Sequence, residues 1–303
     1  MRSLLPLSIA GMFFLAITTQ SCSDSLATNT VVGQSSQAAL EYRELPESFK
    51  EYWFNGKAEL TSYTLQQERY GEIREGHAVT IFVTEDFLTN EQVKADRSSS
   101  NNIPVLKLNL TKRFITGIYP YNVMTSSFQP LDRKEHAIKV THSMQEWCGQ
   151  AYVQLNNRDL YQVESHSYFE GEADLELTLE KAWLESELWN LMRISPQELP
   201  TGKIRAIPSF EFNRMRHRPI GVYEAVARLR SENDSLVYSL DFPELDHGIT
   251  WFMESNAPYR ITGWDERHPN GMTTQARMSK TIRSAYWQKN RNADRILRDS
   301  LGL

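Results

Sequence analysis

Cysteine is nearly absent from this chain: Cys22 and Cys148 are the only two among 303 residues. So thin a supply excludes a disulfide framework, a four-cysteine zinc site and a CxxC redox pair. Surplus basic charge is missing too. The 33 Lys and Arg stand against 38 Asp and Glu, a formal net charge of -5, which argues against nucleic acid as a partner. Beyond the N-terminal segment no apolar run is long enough to cross a bilayer as a helix. No Gly-rich dinucleotide fingerprint, P-loop, GxSxG elbow or HExxH motif occurs. The seven histidines, at 77, 136, 142, 166, 217, 247 and 268, lack close multidentate spacing, so neither a metal nor another cofactor is expected.

What the chain does have begins with Arg2, an apolar run over 4–17 and small or polar residues before Cys22. This is the pattern of an export signal. It resembles that of a bacterial lipoprotein, which implies acylation of Cys22 and an anchor on the membrane through acyl chains. Cleavage nearby without acylation would instead release a soluble periplasmic protein. The expected organisation is a signal peptide over 1–21, a flexible tether over 22–43 and a single antiparallel β-rich domain over 44–303. The implied location is the cell envelope, on the periplasmic face of the outer membrane.

The body alternates with period two. Leu106, Leu108 and Leu110 share one face while Lys107, Asn109 and Thr111 share the other, the signature of a strand with one buried side. Similar segments lie at 78–84, 113–119, 122–128, 137–145, 151–155, 160–168, 173–179, 203–212, 223–230, 235–242, 249–254 and 259–264. Short connections between them favour antiparallel hairpins. Helices are expected over 46–53, 179–192 and 281–301. The fold class is therefore mainly β: a large curved antiparallel sheet or open barrel with two or three packing helices. Its concave side would be wide enough to leave a hollow.

The densest chemical patch is 141–152. As one continuous strand it places His142, Glu146 and Cys148 on one face, with His142 and Cys148 roughly 20 Å apart. A hairpin turning at Asn157 and Arg158 offers His166 instead, its simplest register setting Gly149 opposite His166 and Cys148 opposite Ser167. Thiol and imidazole then occupy opposite faces unless a bulge intervenes. Cys148, His142 or His166, and Glu146 are thus the candidate catalytic groups, against a buried, unreactive cysteine. Trp147 beside Gln145, Glu146 and Gln150 has the composition of a platform for a polar ligand, or of a sheet residue with wet neighbours. Arg214, Arg216 and Arg218, in an extended segment, would put three guanidiniums on one side to bind an anion, or form internal ion pairs. Tyr52 and Trp53 are further candidate ligand contacts. In 259–266 a strand is expected to end at Gly263, with Asp265 and Glu266 in a solvated turn or, less simply, in a glycosidase pair.

Tyr52 to Tyr63 (YWFNGKAELTSY), Arg69 to Glu72 (RYGE), Ile81 to Phe87 (IFVTEDF) and His142 to Gly149 (HSMQEWCG) resemble a family of uncharacterised bacterial lipoproteins, some labelled septum formation inhibitors of the Maf type. The likeness spans almost the whole mature chain. The nucleotide-hydrolase pattern of true Maf proteins is missing, so that activity is not implied. In layout alone the chain is similar to periplasmic lipoprotein carriers, whose open sheet partly encloses a helix; this implies an apolar cavity. The leading expectation is a noncatalytic, membrane-tethered envelope protein that binds or carries an amphipathic lipid, glycan or peptide. The alternatives are an envelope hydrolase using Cys148 with a histidine, and an assembly partner of another envelope protein.

Overall fold

Period-two alternation is realised in sixteen strands. β1 (Ala58–Arg69), β2 (Glu72–Leu88) and β3 (Val93–Lys94) precede β4 (Ile103–Thr116), β5 (Tyr119–Pro130), β6 (Lys139–Glu146), β7 (Gly149–Asn157), β8 (Tyr161–Ser167) and β9 (Leu175–Leu179). After β10 (Trp183–Leu184) come β11 (Gly202–Ile207), β12 (Tyr223–Glu232), β13 (Ser235–Phe242), β14 (His247–Glu254), β15 (Ile261–Arg267) and β16 (Thr273–Ser284). The computed structural model describes residues 41–303; the expected signal peptide, Cys22 and most of the tether lie outside the described residues. No helix among the described residues is long and apolar enough to cross a membrane.

The strands form one open sheet in the order β10-β11-β12-β13-β14-β15-β16-β1-β2-β4-β5-β6-β7-β8-β9, with β3 attached to β2. Every pairing is antiparallel except β10 with β11. The two edge strands, β9 and β10, are separated in the chain only by Glu180, Lys181 and Ala182. No ladder joins them among the described residues, so the sheet curls without closing.

Four helices accompany the sheet: α1 (Glu47–Trp53), α2 (Glu185–Ile194), α3 (Phe210–Arg216) and α4 (Ile296–Leu301). All ten residues of α2 are buried. Leu188, Trp189 and Met192 join the main core with inward residues of the sheet such as Leu108, Tyr238 and Trp251. The charged residues and Asn190 of α2 survive burial because each finds a partner. Arg193 forks onto Glu59 at 2.6 and 2.9 Å, Asn190 donates to the Leu106 carbonyl at 2.8 Å, and Glu187 accepts from the Ala137 amide at 2.6 Å. Glu187 also reaches back to the Leu184 amide at 3.0 Å, satisfying a donor at the helix start.

Several boundaries differ from the sequence reading. The expected helix over 179–192 begins only at Glu185, because Trp183 and Leu184 first pair in parallel with Ala206 and Ile207. The expected strand over 203–212 stops at Ile207, and Ser209 caps α3 by accepting from the Phe212 amide at 3.2 Å. The expected helix over 281–301 is strand as far as Ser284, since 281–284 pair with 58–61. After two 3-10 turns, at Tyr286–Gln288 and Asn292–Arg295, α-helix returns at α4, whose Leu301 packs with Tyr286 and Leu303 on Ala58, Leu60 and Val83. Gly263 does not end a strand: it lies inside β15, where a Cβ would stand 2.5 Å from the Ala276 carbonyl oxygen.

Candidate functional site

The outer face of β1, β2, β4, β5, β6 and β7 is roofed on one side by the segment after β16. Between them lies a cleft of about 1270 Å³. Its floor takes Leu60, Val79, Ile81 and Met124 from the outward positions of these strands, and Leu297 and Leu301 from the roof. Its rim carries Arg113, Lys289, Arg291, Arg295 and Arg298, none of which makes an ion pair among the described residues. His77, between them, is lowered by burial and by the charges of Arg113 and Arg298. Glu146, Asp174 and Asp294 also line the cleft, but the rim cations stand outside any ion pair among the described residues in a chain whose net charge is negative.

Trp147, Cys148, Glu146, Gln150 and His166 all line this cleft. The strand expected to run continuously through them breaks at Glu146, and Trp147 with Cys148 forms the two-residue turn between β6 and β7. Trp147 is 69% exposed, 6.5 Å from Tyr119 ring to ring. Gln150 accepts from Gln145 Nε2 at 3.1 Å.

The thiol and its candidate bases are kept apart. Cys148 is exposed, and its amide donates to Glu146 Oε2 at 2.7 Å; that carboxylate pushes the thiol up, away from thiolate. The register sets Tyr152, not Gly149, opposite His166. Cys148 therefore stands four residues along the ladder from His166, roughly 13 Å. His166 pairs instead with Asp174 at 3.2 Å. His142 faces the interior, fully buried, its Nδ1 3.0 Å from Thr125 Oγ1, and burial drives it down to about 3.

The other expected contacts are engaged elsewhere. Trp53 is buried against Phe82, and Tyr52 donates to Glu59, its hydroxyl pushed by burial and that carboxylate up to about 12. Arg214 and Arg216 sit on α3, not on an extended rim. Arg214 lies 4.0 Å over the Phe169 ring and 3.3 Å from Glu172, beside a smaller recess of about 570 Å³ lined by Val153, Leu175, Phe210 and Ile220. Arg216 pairs with buried Glu68. These arginines act as internal ties rather than as an open anion cradle.

A second concentration of chemistry, which the sequence reading did not assemble, lies inside the sheet beside α2 and α3. Lys112 from β4 is buried 2.8 Å from Glu211 and 3.9 Å from Glu266. Glu185 Oε2 lies 3.4 Å from His247 Nε2, and Glu266 Oε1 3.8 Å from His268 Nδ1. A void of about 20 Å³ touches Lys112, Glu185, Glu211 and Glu266, enough for one water. Burial disfavours the Glu266 carboxylate, yet His268, Lys112 and His247 hold it down to about 2. Burial also opposes charge on His247, but Glu185 and Glu266 together raise it. Two signals for this chamber were legible: Glu266 and His268 have the i,i+2 spacing that shares a strand face, and the β14–β15 hairpin returns His247 beside them, with Gly248 opposite Arg267.

No protein-family model matches the chain, and no curated protein is significantly similar to it.

Proposed function

We propose that this protein is a noncatalytic binder of an amphipathic anion, held in the outer cleft with its apolar part on Leu60, Val79, Ile81 and Met124 and its charge among Arg113, Arg291 and Arg298. The observation that carries this reading is the pairing of a cleft of about 1270 Å³ with rim cations that have no acidic partner among the described residues. A compact hydrophobic floor favours burial of apolar area, and guanidiniums recognise carboxylate or phosphate by paired hydrogen bonds. Trp147 and Tyr152 at the β6 and β7 end supply amphipathic contact area of the kind common at binding surfaces. Acylation of Cys22 would hold such a protein at the envelope, where amphipathic anions abound. The separation of Cys148 from both histidines favours binding over hydrolysis.

The test is a titration with dodecyl phosphate and with uncharged dodecanol, followed by tryptophan fluorescence and checked in a Trp147→Phe variant. The phosphate should bind more tightly, and Arg113→Glu combined with Arg298→Glu should weaken it by at least about tenfold, one lost charge-assisted bond being worth roughly 1.5–3 kcal/mol. Equal binding of both amphiphiles, unaffected by the arginine changes, would sink the reading.

A further inference from the structure

We propose that His247, Glu266 and His268 form a site for a first-row divalent transition metal, zinc being the best match, with Glu185 at hand as a fourth ligand. One ligand atom from each of the three residues lies within 4.8 Å of the others, and all three side chains are buried. A tetrahedral zinc site with bonds of about 2.0–2.1 Å would draw these atoms in by an ångström or so. The neighbouring void is lined by Glu185 and Glu266 and gives these two carboxylates room to adjust.

The His247 ring is held as a metal-binding histidine is held, by the nitrogen that faces away from the site. His247 Nδ1 donates to the Arg267 carbonyl at 3.2 Å, which leaves Nε2 turned to Glu185. Phe212 stacks on this ring at 3.9 Å and Phe242 at 5.7 Å, fixing its plane. His268 Nε2 sits 2.8 Å from Thr274 Oγ1, and its Nδ1 is buried with no hydrogen-bond partner. An unpartnered buried nitrogen is costly, and a metal ion would remove that cost.

Charge points the same way. Among the described residues, Glu68, Glu185, Glu211 and Glu266 are paired with two permanent cations, Lys112 and Arg216, which are tied to Glu211 and Glu68. A divalent cation between Glu185 and Glu266 would balance the remainder. Imidazole with carboxylate suits zinc and its neighbours rather than calcium or magnesium.

The experiment is calorimetric titration of the chelator-treated protein with ZnCl₂, paired with CoCl₂ titration read in the visible spectrum. One zinc per chain is expected, with His247→Ala and His268→Ala each weakening it more than about 100-fold, beyond the range of an outer-shell change. His217→Ala, on the exposed surface, should leave it unaltered. If the histidine variants fail to fold, the cobalt spectrum of the unaltered protein decides: intense visible bands of a low-coordinate site support the proposal, and the weak bands of aqueous cobalt overturn it. Zinc binding that persists at full strength in folded His268→Ala, or no binding at all, also overturns it.

Discussion

The clearest residue-level consequence belongs to Arg193 and Glu59, an ion pair with side chains 1% and 0% exposed. Two desolvated charges in good geometry roughly balance, whereas a lone one does not. Arg193→Met alone should therefore cost about 3–5 kcal/mol in urea unfolding, and adding Glu59→Met should recover most of it. His142 carries a pH dependence of definite sign. Burial, with Lys112 and Arg214, holds it near 3, below the roughly 6.5 of the unfolded chain, so it is neutral when folded and takes up a proton on unfolding. Stability is unaffected above that range and falls as pH drops from about 6.5 towards 3. Unfolding midpoints of His142→Gln against the parent at pH 7, 5.5 and 4.5 should diverge in the variant's favour, by up to about 1.4 kcal/mol per pH unit. At this scale the sequence was a mixed guide. Trp147, Gln150 and Cys148 line the cleft, but the rim arginines did not stand out, because Arg113 lies far in the chain from Arg291 and Arg298 and shares a cleft with them only through the roof.

Among elements, the strands legible from alternation were those with one wet face. β4, β5 and β7 display it plainly, whereas β1 and β16 carry no such mark in the sequence reading. β1 is buried at every position from Ala58 to Tyr63, since α2 covers one side and the C-terminal segment the other; Glu59 and Thr61 then read as polar interruptions although they point inward. Local capping decides α3, where the Ser209 side chain accepts from the Phe212 amide and prevails over the alternation of Arg214, Arg216 and Arg218. The roof depends on few apolar anchors. Leu301→Ala should loosen it at a cost of about 2–5 kcal/mol locally, with faster amide exchange over 286–303 and weaker dodecyl phosphate binding. Unchanged exchange in that segment would show that the roof is held by something other than Leu301.

For the whole molecule, the fold class was readable because hairpin connections are short and abundant, while the seam was not. Read around the sheet from β11 to β16 and on from β1 to β9, with β3 off the path, the strands follow as one up-and-down path, broken in the chain only where β16 meets β1, while β10 joins β11 in parallel. That meeting joins Ala58 to Ser284 and their neighbours, the longest-range pairing in the sheet. A permuted chain opened at 180–182 and linked from Leu303 to Glu41 would make every pairing local. It should refold faster than the parent by stopped-flow fluorescence at similar stability, because low contact order speeds folding; equal rates would mean that the seam is not limiting.

The same seam has a consequence during synthesis. While the ribosome is still making the second half, β1 stands with one edge bare, a ready template for another copy of itself, until residue 284 has emerged. A nascent chain of this kind depends on delay or shelter, and crowded translation of truncated messages would convert it into strand-swapped aggregates.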